Sequence, residues 1–388
     1  MSKSVLISGA GVAGATLAHW LRRYGFEVTV VERAAGQRSS GNPVDVKGPA
    51  VAVAQEMGIM PRLQAAASAV SQMTFVNSAG RAVARMGLEA FQGGAGDLEV
   101  EIPRSTLAAI LLDAVGDDAE FLWGDTITSL EDRGDGVDVR FGKAPERRFS
   151  LVIGADGLHS AVRRMTFGPD EEFTRHMGMY VATLPVGEPF GTDREVVIYN
   201  TPGRAVSVHP TQGHATAAFI FRRGAVPGDH HQDTDLHKRL VTEAFTGAGW
   251  RVPELLGWVR EAGDLYFDSV SQVRLPQWSR GRVAVVGDAA SCLSLFGDGS
   301  TLAMTGAYTL ARQLAEWSRG GDSDPRQALG RYEAAHRAVV APKLNGYRLG
   351  AAMLLPATRA GITTRNIIAR VMPALTATSS LRRKNAPA

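Results

Sequence analysis

The stretch Val5-Leu-Ile-Ser-Gly-Ala-Gly-Val-Ala-Gly14 decides the fold. An apolar run, a G-x-G-x-x-G turn and a segment with Leu17, Trp20, Leu21 and Tyr24 on one helical face read as strand, phosphate loop and helix. Gly9 permits the tight turn, Gly11 lets the backbone approach a pyrophosphate, and Gly14 lets helix and strand pack closely. Val12 and Ala13 open the helix, whose unpaired N–H groups and positive dipole end face that pyrophosphate. A second strand, Val28-Thr-Val-Val-Glu32, ends in an acid about 20 residues on, where a ribose hydroxyl would be bound. The unit is a dinucleotide site.

Glu32 would repel a 2′-phosphate, which favours FAD or NAD over NADP at this first site, although Arg33 beside it weakens the inference. The length of 388 residues allows two or three domains, and 45% hydrophobic with 21% charged residues is a globular composition. Lys and Arg exceed the acids by only 42 − 39 = 3 with no basic stripe, so nucleic acid is not an expected partner. The lone Cys292 excludes an internal disulfide and a cysteine metal cluster, and His230 and His231 lack metal-ligand spacing; no metal is expected. No signal peptide is visible, because the chain enters its first strand by Val5, and no apolar run is long enough to span a bilayer, so a cytoplasmic protein without a membrane partner is expected.

Farther along, Arg33 to Gly48 reads as a loop able to lie over a bound cofactor, and a helix begins after Ile102-Pro-Arg-Ser105. Short strands lead into Gly154-Ala-Asp-Gly-Leu-His-Ser-Ala-Val-Arg163. Between 176 and 267, alternating stretches such as Glu195-Val-Val-Ile-Tyr199, Ala205-Val-Ser-Val-His209 and Ala215-Thr-Ala-Ala-Phe-Ile-Phe221 predict an antiparallel sheet. A buried strand then ends in Gly287-Asp-Ala-Ala290, and the chain beyond Pro325 reads as helical. The fold class is therefore α/β: a Rossmann-like βαβ domain over 1–72, 100–175 and 268–325, an inserted antiparallel substrate domain over 73–99 and 176–267, and a helical segment over 326–388. Ligands in open α/β sheets bind beyond the carboxyl ends of strands, and three of these stretches sit there.

The motifs Gly9 to Gly14, Arg104 to Leu107, Gly154 to Arg163 and Gly287 to Ala290, in that order, resemble those of the single-component FAD-dependent aromatic hydroxylases, the group of para-hydroxybenzoate hydroxylase and the tetracycline-inactivating flavin monooxygenases. The resemblance implies FAD as cofactor, with NADPH or NADH and O2 as co-substrates. It also implies a flavin C4a-hydroperoxide that hydroxylates an aromatic or polyketide-like small molecule. On it, Asp288 meets the ribityl chain, Arg104 neutralises charge near the pyrophosphate and ribityl, Asp45 lies near the flavin, Arg38 meets NADPH, and Asp156 helps hold FAD beside the NADPH groove.

After Gly287-Asp-Ala-Ala290 the sequence departs from the family's histidine and prolines, but Gly297, Gly299 and Ser300 lead into a helix whose N-terminus can stabilise charge on reduced flavin. Tyr199, His209, Phe219 and Phe221 are candidates to roof the substrate cavity, with a packing role as the alternative for each. The sequence also fits a same-fold halogenase or reductase and a non-catalytic flavin or ligand binder; the halogenase motif W-x-W-x-I-P is absent. No catalytic side chain is assigned, and a monomer or homodimer is equally expected.

Overall fold

The computed structural model describes residues 3–36, 43–87, 98–187, 192–211, 214–226, 233–263, 265–295, 298–320, 324–345 and 347–370. Arg38, Gly297, His230 and His231 lie outside the described residues. Strand β1 (Ser4–Ser8), helix α1 (Val12–Arg23) and strand β2 (Glu27–Glu32) form the opening unit. β1 pairs in parallel with β2 on one side and with β11 (Leu151–Gly154) on the other. Burial on both faces explains why its apolar run does not alternate: Val5, Leu6 and Ile7 are wholly inaccessible.

Beyond β11 come β18 (Val283–Val285) and the short antiparallel β17 (Ser279–Arg280), and beyond β2 comes β7 (Glu120–Trp123). Helices α2 (Pro49–Glu56) and α3 (Met60–Ala65) come before α4 (Arg104–Val115), and α1 packs on α4 and on α8 (Gly299–Arg319). A meander of β8 (Ile127–Asp132), β9 (Val137–Phe141) and β10 (Arg147–Phe149) adds Val137, Val139 and Phe149 to the same core.

The second sheet has seven strands, ordered β16-β12-β15-β14-β13-β4-β5. They are β4 (Gln72–Val76), β5 (Ala82–Gly87), β12 (Thr174–Val186), β13 (Glu195–Thr201), β14 (Arg204–Thr211), β15 (His214–Arg222) and β16 (Tyr266–Val273). β16 runs to Val273, past the boundary at 267 read from the sequence. Alternation divides its side chains sharply. One face carries Tyr180, Val206, Val208, Ala217 and Phe219 beneath α6 (Thr234–Phe245) and α7 (Val252–Glu261). The other carries Val181, Ala205, Ile220 and Val270 against Ala351 and Leu355, and Phe75, Val196 and Ile198 against Ala369.

That second face is covered by α10 (Tyr347–Leu354) and by a helix over 359–370. Both follow α9 (Arg326–Asn345), which packs on α8. A two-stranded ribbon of β3 (Pro43–Val46) and β6 (Val100–Pro103) reaches the start of α8. Among the described residues no helix is long and apolar enough to cross a membrane.

Candidate functional site

Three strand-end loops meet, and glycine is what lets them. A Cβ on Gly9 (φ +103°) would lie 2.6 Å from the Ala155 carbonyl oxygen, in the loop after β11. One on Gly287 (φ +65°), in the loop after β18, would lie 2.9 Å from the Ala13 Cβ. On Gly14 it would come within 1.9 Å of the Gly9 oxygen, so the turn and helix touch backbone to backbone. Gly11 differs: a Cβ there meets nothing within 4 Å, and no side chain caps the helix that Gly11 begins. The first N–H groups of α1 thus face open space, with no acid in the first turn, which is the cradle an anionic pyrophosphate requires.

The acids at these loops do different things. Glu32 accepts backbone N–H bonds from Ala10 (3.0 Å) and Ala34 (2.9 Å), tying the end of β2 to the glycine turn, with the exposed Arg33 alongside. Asp156 turns its carboxylate onto its own loop, accepting from Ser160 Oγ (2.5 Å) and the N–H groups of Ala161 (2.8 Å) and Val162 (3.1 Å); it organises the start of α5 (Ala161–Phe167). The wholly buried Arg163 donates to Asp170 Oδ1, the Leu158 carbonyl and the Ala289 carbonyl (3.1 Å), and so straps the second loop to the third. Asp288 stays close to the start of α8, with its Oδ1 placed 3.8 Å from where a Cβ on Gly299 would sit. Burial pushes its carboxyl up and the nearby Arg104 pulls it down. Cys292 is buried beside it, its thiol pushed up by the same desolvation.

Asp45 offers the start of α8 its carbonyl, which accepts from Ser300 Oγ (2.6 Å) and Thr301 Oγ1 (3.1 Å). Its carboxylate pairs with Lys47 (3.2 Å) and stands opposite Glu101 in the ribbon. Burial first, and Asp45 second, raise the Glu101 carboxyl to about 7. Asp298, the left-handed residue before α8 (φ +52°), holds Lys47 (2.8 Å) and Lys343 of α9. The sequence reading missed Lys47 and Lys343 because neither stands in a motif.

The four sheet candidates separate. Phe219 and Phe221 are buried against Phe245, and the Tyr199 hydroxyl accepts from the Gly249 N–H (3.3 Å) beside Trp250. These three lie on the face under α6 and α7, so they do not roof a cavity toward the strand-end loops; alternation was read correctly but assigned to the wrong side. His209 lies on the other face. Its Nε2 pairs with Ser207 Oγ (3.0 Å), its Nδ1 is buried with no partner among the described residues, and burial pulls its pKa down to about 4. Asp268, on this face with Val270, reaches His159 of the second loop at 3.3 Å. This face is the one turned toward the glycine loops.

The strand-end loops of the parallel sheet and the Ser207, His209 and Asp268 face of the antiparallel sheet make up the candidate site. Comparison with known proteins narrows the class. The family model described as an FAD binding domain matches residues 2–344, and the chain belongs to that family. A flavin-dependent monooxygenase of Legionella longbeachae is 34% identical over 345 residues, 88% of this chain and 87% of that one. An FAD-dependent monooxygenase of Sarocladium schorii, asL4, is 30% identical over 96% of this chain and 92% of its own. The crystal structure of the tetracycline destructase Tet(51) superposes with a TM-score of 0.82 at 29% identity, covering 97% of this chain and 98% of that one. The chain is an FAD-dependent monooxygenase using NAD(P)H and O2.

Proposed function

We propose that this enzyme hydroxylates an aromatic or polyketide-like small molecule held between the strand-end loops and the Ser207–His209 face of the antiparallel sheet. The meeting of the three glycine loops around an open, uncapped helix start carries the reading. Gly9, Gly11, Val12, Ala13 and Gly14 would receive the FAD pyrophosphate, Glu32 and Arg33 the adenosine ribose, Arg104 and Asp288 the ribityl chain, and Gly299, Ser300 and Asp45 the ring end. Asp156 would act indirectly by fixing its loop. Arg38 and Gly297 keep the roles the resemblance implies. When bound and reduced by NAD(P)H, FAD supplies the activation of O2.

The rest falls to the protein. The buried sheet face and the C-terminal helices exclude water, the α8 N-terminus favours negative charge beside it, and neutral His209 orients a substrate oxygen. Residues 1–72, 100–175 and 274–325 would carry the nucleotide, and 73–99 with 176–273 the substrate. A cytoplasmic enzyme, monomeric or homodimeric, fits a chain whose single cysteine is buried. The test is turnover of purified protein under isotopically labelled O2 with NADPH and aromatic polyketides. Flavin absorbance, substrate-stimulated NADPH oxidation and one labelled oxygen in the product are expected. NADPH oxidation that yields only peroxide across the panel would remove hydroxylation.

A further inference from the structure

Arg365, in the helix over 359–370, is 3% exposed, yet every group it touches is neutral. Its Nη2 donates to Asn200 Oδ1 (2.9 Å), Nη1 to the Met353 carbonyl (3.3 Å) and Nε to Asn366 Oδ1 (2.9 Å). Its guanidinium lies 3.7 Å from the centre of the Phe75 ring. A guanidinium carries five N–H donors, and these bonds use three. Among the described residues no carboxylate pairs with it. A buried cation without a counter-ion is costly, and burial lowers its pKa to about 10, which still leaves it charged at neutral pH.

Sheet register says what lies nearby. Phe75 pairs with Ile198 and Ile198 with Ser207, so at about 4.8 Å per strand Ser207 sits roughly 10 Å from the Phe75 position. His209 follows on the same face, with Nδ1 buried and unpartnered. In the tautomer whose Nε2 accepts the Ser207 proton, Nδ1 carries a hydrogen and needs an acceptor. One covered sheet face thus holds a positive charge with no counter-ion and, in that tautomer, a donor with no acceptor among the described residues. The phosphates proposed for the glycine loop of the other sheet leave this charge without a counter-ion.

We infer that Arg365 makes the enzyme selective for substrates bound as anions, through the oxygen of an ionised enol, phenol or carboxylate presented to the Ser207–His209 face. The inference rests on the proposed placement of the substrate, and it assigns Arg365 as a specificity residue contributed by the C-terminal helix.

The flavin-loaded enzyme is titrated, without NADPH, with alizarin, emodin and salicylate and with the O-methylated counterpart of each, and binding is read from the perturbed flavin spectrum. The unmutated enzyme should bind the acidic member of at least one pair about tenfold or more tightly. Arg365→Gln should abolish that preference while leaving the methylated ligand within about twofold, and Arg365→Lys, which keeps the charge, should retain most of it. Equal weakening of both members by Arg365→Gln, an unchanged preference, or no preference in the unmutated enzyme overturns the inference. Flavin content and melting temperature are measured alongside; if Arg365→Gln does not fold, Arg365→Lys and Arg365→Met are compared in its place. Binding is measured without turnover, so failure here is distinct from failure of hydroxylation.

Discussion

The parallel and antiparallel sheets build their halves of the site from different material. Around the parallel sheet the working parts are backbone: Gly9, Gly14 and Gly287 bring loops into contact, and a Cβ at any of the three would strike a neighbour. On the antiparallel sheet the working parts are side chains chosen by face, with Phe219 and Phe221 in a core under two helices and Ser207 and His209 on the opposite side. A backbone site tolerates almost no substitution at its contacts, whereas a face-selected site can change its lining while its core stays fixed.

The largest effect should come from setting two glycines against each other. Gly14→Ala drives a Cβ to 1.9 Å from the Gly9 oxygen and should cost about 3 kcal/mol or more, seen as insoluble protein or a collapsed melting temperature. A Cβ at Gly11 meets nothing within 4 Å, so with Gly11→Val the fold should survive and flavin content should be largely lost. If Gly11→Val purifies fully flavin-loaded, the cradle is misplaced.

The two faces of the antiparallel sheet come next. Phe219→Ala should lower unfolding free energy by about 3–5 kcal/mol in urea titrations and leave substrate affinity per folded enzyme alone. His209→Ala should do the reverse, removing substrate-stimulated NADPH oxidation with little change in stability. Exchanged outcomes would reverse the face assignment.

Glu101 sharpens the boundary between the regions. Its folded pKa of about 7 lies above the ordinary 4.5, so its contribution is fully present below about 4.5 and is lost as pH rises through about 7. Glu101→Gln cannot ionise, and should melt higher than the unmutated enzyme at pH 8 by up to about 3 kcal/mol of stability while matching it near pH 4.5. Parallel stability curves from pH 5 to 8 would refute this. The smallest effect belongs to Asp298→Ala, which removes the Lys47 and Lys343 pairs; about 1 kcal/mol is expected, shrinking with added salt.

The glycine loops were legible because a G-x-G-x-x-G turn and the runs ending in Gly154 and Gly287 admit few other backbones. Sheet alternation was legible as well, since period two shows in the residue types from Glu195 to Phe221. Which face turns toward the cofactor was not, because alternation specifies two faces without labelling them, and large aromatics on Phe219 and Phe221 suit a helix-covered core as well as a cavity. Nor did the sequence show that Asp156, a conspicuous acid in a cofactor loop, spends its oxygens on the adjoining helix. Arg365 and Asp268 have no local pattern at all; they become neighbours of the site through contacts that span much of the chain.

The buried Arg163, locking Leu158 and Ala289 together, makes the nucleotide cradle a rigid preform. Stripped of its flavin, the protein should keep its melting cooperativity and take up a synthetic flavin analogue on mixing. The cofactor then behaves as an exchangeable part, and analogues of graded redox potential can be installed in the same scaffold to tune its chemistry.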